Sequence, residues 1–79
     1  LFVLGLIYMN NGLFDKAVAS FQKCIGDKEG KVEGVNSYLP NYNIGVILEC
    51  LGYSEQARQY YFNCGNYPLA VNRLEKLKQ

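Results

Sequence analysis

Apolar side chains recur at helical spacing along most of this chain. Positions 1, 4, 7 and 8 form an apolar stripe that ends at Asn10-Asn11-Gly12, and this indicates a helix stopped by a glycine in the left-handed conformation. A second stripe over residues 13–25 predicts a second helix. The same pattern predicts a third helix that ends at Gly52, a fourth that follows it, and a fifth near the end of the sequence.

Polar residues and prolines suggest where the later helices begin. Ser37, Ser54 and Asn66 are predicted N-caps, because short oxygen-bearing side chains accept hydrogen bonds from the first free amides of a helix. Pro40 and Pro68 follow within the first turn, where proline is tolerated.

The sequence repeats itself at an offset of 40 residues. Each half carries a Leu/Ile-Gly pair, a turn glycine, an alanine, an aromatic residue and a cysteine in the same order. The matched pairs are Leu4 and Ile44, Gly5 and Gly45, Gly12 and Gly52, Ala17 and Ala57, Phe21 and Tyr61, and Cys24 and Cys64. We expect the glycines and alanines to let the two helices of each unit approach closely, with the aromatic ring filling the space beside them.

This frame resembles the tetratricopeptide repeat. Leu1-x-x-Leu4-Gly5-x-x-Tyr8, then Ala17-x-x-x-Phe21, follows the family pattern W-x-x-L-G-x-x-Y and A-x-x-x-F, with Leu in place of Trp. The second unit departs at Asn41 and Leu48, and neither unit has the closing proline. The period exceeds the usual repeat of about 34 residues, so an extended connection is predicted between the units.

The resemblance implies an all-α fold of two helix-turn-helix repeats and a closing helix, a fragment of a right-handed α-solenoid. We predict repeat 1 at 1–28, the extended connection at 29–36, repeat 2 at 37–64 and the closing helix at 66–78. The chain begins without Met or a signal-like segment, and we expect it to be a piece of a longer protein.

Composition narrows the functional classes. The formal net charge of +1 gives no electrostatic reason to expect nucleic acid or an acidic membrane surface as a partner. Three cysteines without paired spacing do not form a disulfide framework, which predicts a cytoplasmic protein. Cys24 and Cys64 stand at equivalent positions and are interpreted as small packing residues.

Nothing in the sequence predicts an enzyme. There is no histidine, no phosphate-binding loop, no nucleophile elbow and no paired-cysteine motif. We therefore expect no catalytic residue, no bound metal and no cofactor.

The resemblance implies a protein or peptide as partner, because the first helices of tetratricopeptide units line the concave face of the array. Glu49 has two interpretations, and an exposed helix-face carboxylate is favoured over an anchor for a partner's cation. The candidate binding residues lie on the two first helices: Phe2, Leu6, Met9, Asn10, Tyr38, Tyr42, Val46 and Glu49.

A narrower resemblance concerns the parent protein. The run 37–49, Lys23-Cys24 and the run 61–70 look like repeat tails attached to bacterial family 2 glycosyltransferases. This implies an interaction or scaffold module whose catalytic domain lies elsewhere in the parent. The alternative is a purely structural segment that packs on a catalytic domain or mediates oligomerisation. We also expect the chain by itself to form a homo-oligomer through the apolar face of its first helix.

Overall fold

The computed structural model describes residues 2–26 and 38–77, and this part of the chain is entirely helical. Leu1, the predicted cap Ser37 and the predicted connection 29–36 lie outside the described residues. The helices are α1 (Phe2–Asn10), α2 (Phe14–Gly26), α3 (Tyr38–Cys50), α4 (Ser54–Phe62) and α5 (Pro68–Leu77). The predicted all-α class is confirmed, with two helix-turn-helix units followed by one closing helix.

The turns inside the two units have the same hydrogen bonds. Gly12 (φ 76°) and Gly52 (φ 92°) adopt the left-handed conformation that glycine reaches without steric cost. The residue after each glycine donates its amide back into the preceding helix, from Leu13 to Tyr8 (2.9 Å) and from Tyr53 to Leu48 (2.8 Å). This is the Schellman arrangement, and it ends α1 and α3 where the sequence predicts.

The close approach of the two helices in each unit is confirmed. A Cβ atom added to Gly5 would lie 2.6 Å from the Phe21 ring, and one added to Gly45 would lie 2.6 Å from the Tyr61 ring. Both rings are fully buried. Each aromatic side chain therefore fills a space that exists only because the facing residue is glycine.

Two hydrophobic clusters hold the helices together in series. The first contains Ala17 and Phe21 of α2 with Ile44 and Ile47 of α3, so it joins the two units. The second joins α4 to α5 and contains Ala57, Tyr61, Cys64 and Ala70.

Two of the predicted caps are wrong. In α4 the N-cap position is Tyr53, which makes no side-chain capping hydrogen bond, and Ser54 is the first helical residue. In α5 the carbonyl of Tyr67 accepts the first helical hydrogen bond, from Val71 at 3.0 Å, so Asn66 lies before the cap position. The turn that follows each left-handed glycine sets these starts, and side-chain chemistry does not. Pro68 does stand at the first position of α5, as predicted.

Candidate binding surface

The predicted binding residues fall into two sets that the repeat relates to each other. Phe2, Leu6 and Met9 on α1 correspond to Tyr42, Val46 and Glu49 on α3. The other two predicted residues, Asn10 on α1 and Tyr38 on α3, have no predicted counterpart in the other unit. The structure places the two sets in different surroundings, one packed against the core and the other along a groove.

On α1 the predicted residues belong largely to the interior. Phe2, Leu6 and Met9 are half-buried and pack against the cluster that joins the two units. The ring of Phe2 lies 5.5 Å from that of Phe21. Asn10 is exposed at the end of the helix.

On α3 the predicted residues line a groove. Tyr42, Val46 and Glu49 come together with Cys50 of the same helix, Tyr61 of α4 and Arg73 of α5, around a volume of about 370 Å³. We call this surface the α3 groove. It places three of the eight predicted residues at one site, with walls from three helices.

Glu49 is not a free helix-face carboxylate, so the favoured interpretation of this residue is wrong. Its side chain accepts a hydrogen bond from the Tyr61 hydroxyl (2.8 Å) and two from the Arg73 guanidinium, one of them from Nε at 3.1 Å. The hydrogen bond from Arg73 holds the pKa of the Glu49 carboxyl below its ordinary value, against an opposing effect of burial. The carboxylate therefore stays charged, and its charge is already paired with that of Arg73 within the chain.

The Tyr61 hydroxyl completes this polar cluster. Burial, together with its hydrogen bond to the Glu49 carboxylate, raises the pKa of Tyr61 well above that of a free phenol. The hydroxyl therefore stays protonated and remains a donor at neutral pH. Sequence reasoning missed Arg73, because nothing in the local pattern shows that α5 returns alongside α3.

Four tyrosine rings form an aromatic wall, of which Tyr42 and Tyr61 line the groove. The Tyr67 ring lies 4.9 Å from that of Tyr38 and 5.4 Å, edge-on, from that of Tyr42. Tyr42 also lies 5.8 Å from Tyr61. Tyr67, at the turn before α5, was not predicted as a site residue. These contacts fix Tyr38 and Tyr42 in place and leave each half-exposed.

The cysteines are positioned for packing. Cys64 is buried, and its thiol lies within donor distance of the carbonyl oxygens of Tyr38 (3.3 Å) and Tyr60 (3.4 Å). Burial raises the pKa of Cys64 to about 11, which disfavours the reactive thiolate. Cys24, at the equivalent position, is half-buried, and Cys50 is exposed.

Within the described ranges 2–26 and 38–77, no group of three or more His, Cys, Asp or Glu side chains is arranged to hold a metal ion. None of the helices in these ranges is both long enough and apolar enough to cross a bilayer.

Comparison with known families supports the repeat interpretation for the first unit. The family model of the tetratricopeptide repeat matches residues 1–26, which contain α1 and α2. No curated protein and no solved structure matches the chain. Tetratricopeptide repeats are non-catalytic modules that generally bind proteins or peptides. The match does not extend to a glycosyltransferase.

Proposed function

We propose that this chain is a non-catalytic module that binds a protein or peptide segment in the α3 groove. The observation that carries the proposal is the convergence of Tyr42, Val46 and Arg73, from two helices, on one open groove beside a fixed aromatic wall. Concave sites with an apolar lining and a few placed polar groups are typical of ligand surfaces.

The chemistry of the groove defines the kind of segment it fits. Val46 and the Tyr42 ring offer apolar contact, and tyrosine gives contact area at low entropic cost. Arg73 is 36% exposed while it holds Glu49, so the ion pair presents both charges at the rim. A segment with apolar side chains and a polar group opposite this pair would complement the groove.

For the parent protein, we propose the tail of a bacterial glycosyltransferase, on the sequence resemblance at 37–49 and 61–70. In that setting the occupant of the groove is an acceptor protein or another domain of the same chain. The competing structural role would place a catalytic domain or another subunit against the repeats, with no exchangeable ligand. In that case loss of α5 would lower the melting temperature or change the oligomer size.

The experiment is selection of peptides from a random display library against the full chain, followed by affinity measurement on variants. Tyr42→Ala and Val46→Asp should each weaken the selected peptides by about tenfold or more. Tyr53→Ala is the matched control, because Tyr53 is exposed on the turn between α3 and α4, outside the groove.

Selected peptides that bind Tyr42→Ala, Val46→Asp and the wild-type chain equally well would remove the groove from the proposal. Circular dichroism of each variant separates loss of the site from loss of the fold, since Tyr42 also packs against Tyr61 and Tyr67.

A further inference from the structure

The packing of α3 on α2 defines an interface whose two halves each occur a second time in the chain. One half is the pair Ile44 and Ile47 of α3, with 0% and 1% of their surfaces exposed. The other half is Ala17 and Phe21 of α2, and all four residues form one buried cluster.

The first half recurs on α1, at the offset of 40 residues. Leu4 and Ile7 correspond to Ile44 and Ile47, but they are 40% and 50% exposed. Val3 beside them is 65% exposed, and α1 carries no charged residue. A helix that is apolar on all sides is normally covered on all sides. The outer face of α1 thus has the composition of a buried surface.

The second half recurs on α4. Ala57 and Tyr61 correspond to Ala17 and Phe21, and they are fully buried. Besides α3 of the same unit, the helix in this cluster is α5, through Ala70 with Leu74 and Leu77. In the chain, α5 therefore holds the position on α4 that α3 holds on α2.

We propose that α1 of a second copy competes with α5 for this face of α4, which makes α5 a cap on head-to-tail self-association. The occupant is a second copy because Leu4 and Ile7 are the repeat equivalents of the residues that already bind the matching face of α2. Such a contact joins different surfaces on the two copies, and it can therefore be repeated without closing. Arg73 of α5, bonded to Glu49 of α3, holds the cap in place.

The direction of α5 supports this assignment. Tyr67, just before α5, contacts Tyr38 and Tyr42 near the start of α3, and Arg73 further along α5 reaches Glu49 near its end. The two helices therefore run side by side in the same sense. This is the arrangement expected when α5 takes the place of the first helix of a following unit.

The test uses the full chain with α5 detached. Ala70→Asp puts a charge at a fully buried position of α5 and leaves α1 to α4 unchanged in sequence. By sedimentation velocity over a roughly hundredfold range of concentration, we expect its average mass to rise at least about twofold above that of the wild-type chain. Adding Ile7→Asp, at an exposed position, should bring the average mass back to that of the wild-type chain or below it. Leu13→Asp is the matched control, because Leu13 is 46% exposed but lies outside the α1 face.

A folded Ala70→Asp chain whose average mass does not exceed that of the wild-type chain over this range overturns the proposal. An oligomer of the Ala70→Asp chain that persists when Ile7→Asp is added also overturns it. So does an oligomer that Leu13→Asp dissociates as completely as Ile7→Asp does. If Ala70→Asp loses the helical circular dichroism of the whole chain, Leu74→Ala with Leu77→Ala loosens α5 more gently and is judged by the same outcomes.

Discussion

The two units share one backbone frame, and two of their sequence differences decide what the buried ring of each unit can bond to. In the first unit the buried ring is Phe21, and the residue that corresponds to Glu49 is Met9. In the second unit the ring is Tyr61, whose hydroxyl bonds to Glu49, and Glu49 in turn binds Arg73 of α5. One hydroxyl and one carboxylate thus convert an apolar packing position into an attachment point for the next helix.

This difference changes how each unit holds the helix that follows it. In the first unit, the apolar face of α2 packs against Ile44 and Ile47 of α3. The second unit adds directional, charge-assisted bonds to a smaller apolar contact, and such bonds are stronger than neutral ones.

The shared feature is the glycine that faces the ring. Gly5→Val and Gly45→Val should each lower the free energy of unfolding by about 1–3 kcal/mol, because the new side chain overlaps the Phe21 or Tyr61 ring. Urea denaturation measures the loss. Ala19→Val, at an exposed position of α2, should cost less than about 0.7 kcal/mol, and an equal loss there would contradict the steric explanation.

The buried ring carries a hydroxyl in the second unit but not in the first. Substitution can add this hydroxyl to Phe21 and remove it from Tyr61. Phe21→Tyr places a hydroxyl beside Met9, which is a weak acceptor, and should cost about 1–3 kcal/mol. Tyr61→Phe removes the hydrogen bond to the Glu49 carboxylate, a charged acceptor, and should cost about 1.5–3 kcal/mol. Urea denaturation of the two variants gives the comparison. A stabilising effect of Phe21→Tyr would show that the first unit already offers an acceptor.

The Glu49 carboxylate makes the second unit sensitive to acid. Because its pKa is lower in the folded chain than in the unfolded one, its contribution to stability is complete above the unfolded value of about 4.3. That contribution is lost as the pH falls through the lower folded value. Urea denaturation from about pH 6 to about pH 3 should therefore show a smaller loss for Glu49→Gln than for the wild-type chain. Glu55→Gln is the control, since the Glu55 side chain is exposed and lies as far as 3.9 Å from Arg58, and an equal effect of this variant would contradict the assignment to Glu49.

The smallest expected effect concerns the equivalent cysteines. Burial raises the pKa of Cys64 to about 11, so its contribution is complete below the unfolded value of about 8.5 and is lost as the pH rises toward 11. Cys64→Ala should flatten this part of the alkaline stability curve measured by thermal melting. Cys24→Ala, at the half-buried equivalent position, is the matched control, and an equal change of the curve there would contradict the assignment to Cys64.

Much of the fold could be predicted from the sequence because it depends on local signals. Gly12 and Gly52 end their helices, and the residue after each glycine donates its amide to a carbonyl five positions before it, an ending that a helical pattern followed by glycine indicates. The contacts of Gly5 with Phe21 and of Gly45 with Tyr61 follow from the repeat, since the same small-large pairing occurs twice. The predicted cap at Ser54 was wrong because the turn geometry sets the N-cap position of α4 one residue earlier, at Tyr53.

The candidate site was less accessible to sequence reasoning. Tyr42 and Val46 could be placed on a first helix by their spacing, and both do line the α3 groove. The state of Glu49 could not be predicted, because Arg73 lies 24 residues later and reaches it only through the path of α5. Periodicity identifies the face of a helix but not which distant side chain comes to cover it. Whether the groove binds a ligand stays a prediction.

The serial packing of the helices also bears on how the chain folds. Each helix packs most extensively on its neighbour in sequence: α1 on α2, α2 on α3, α3 on α4 and α4 on α5. Chains with such local connectivity fold rapidly and behave as one-dimensional arrays in which order spreads between neighbours. Because α2, α3 and α4 each have neighbours on both sides, we expect amide hydrogen exchange to be slowest there. Local unfolding would then begin at α1 and α5. These outermost helices can therefore leave one packing partner for another at the lowest free-energy cost.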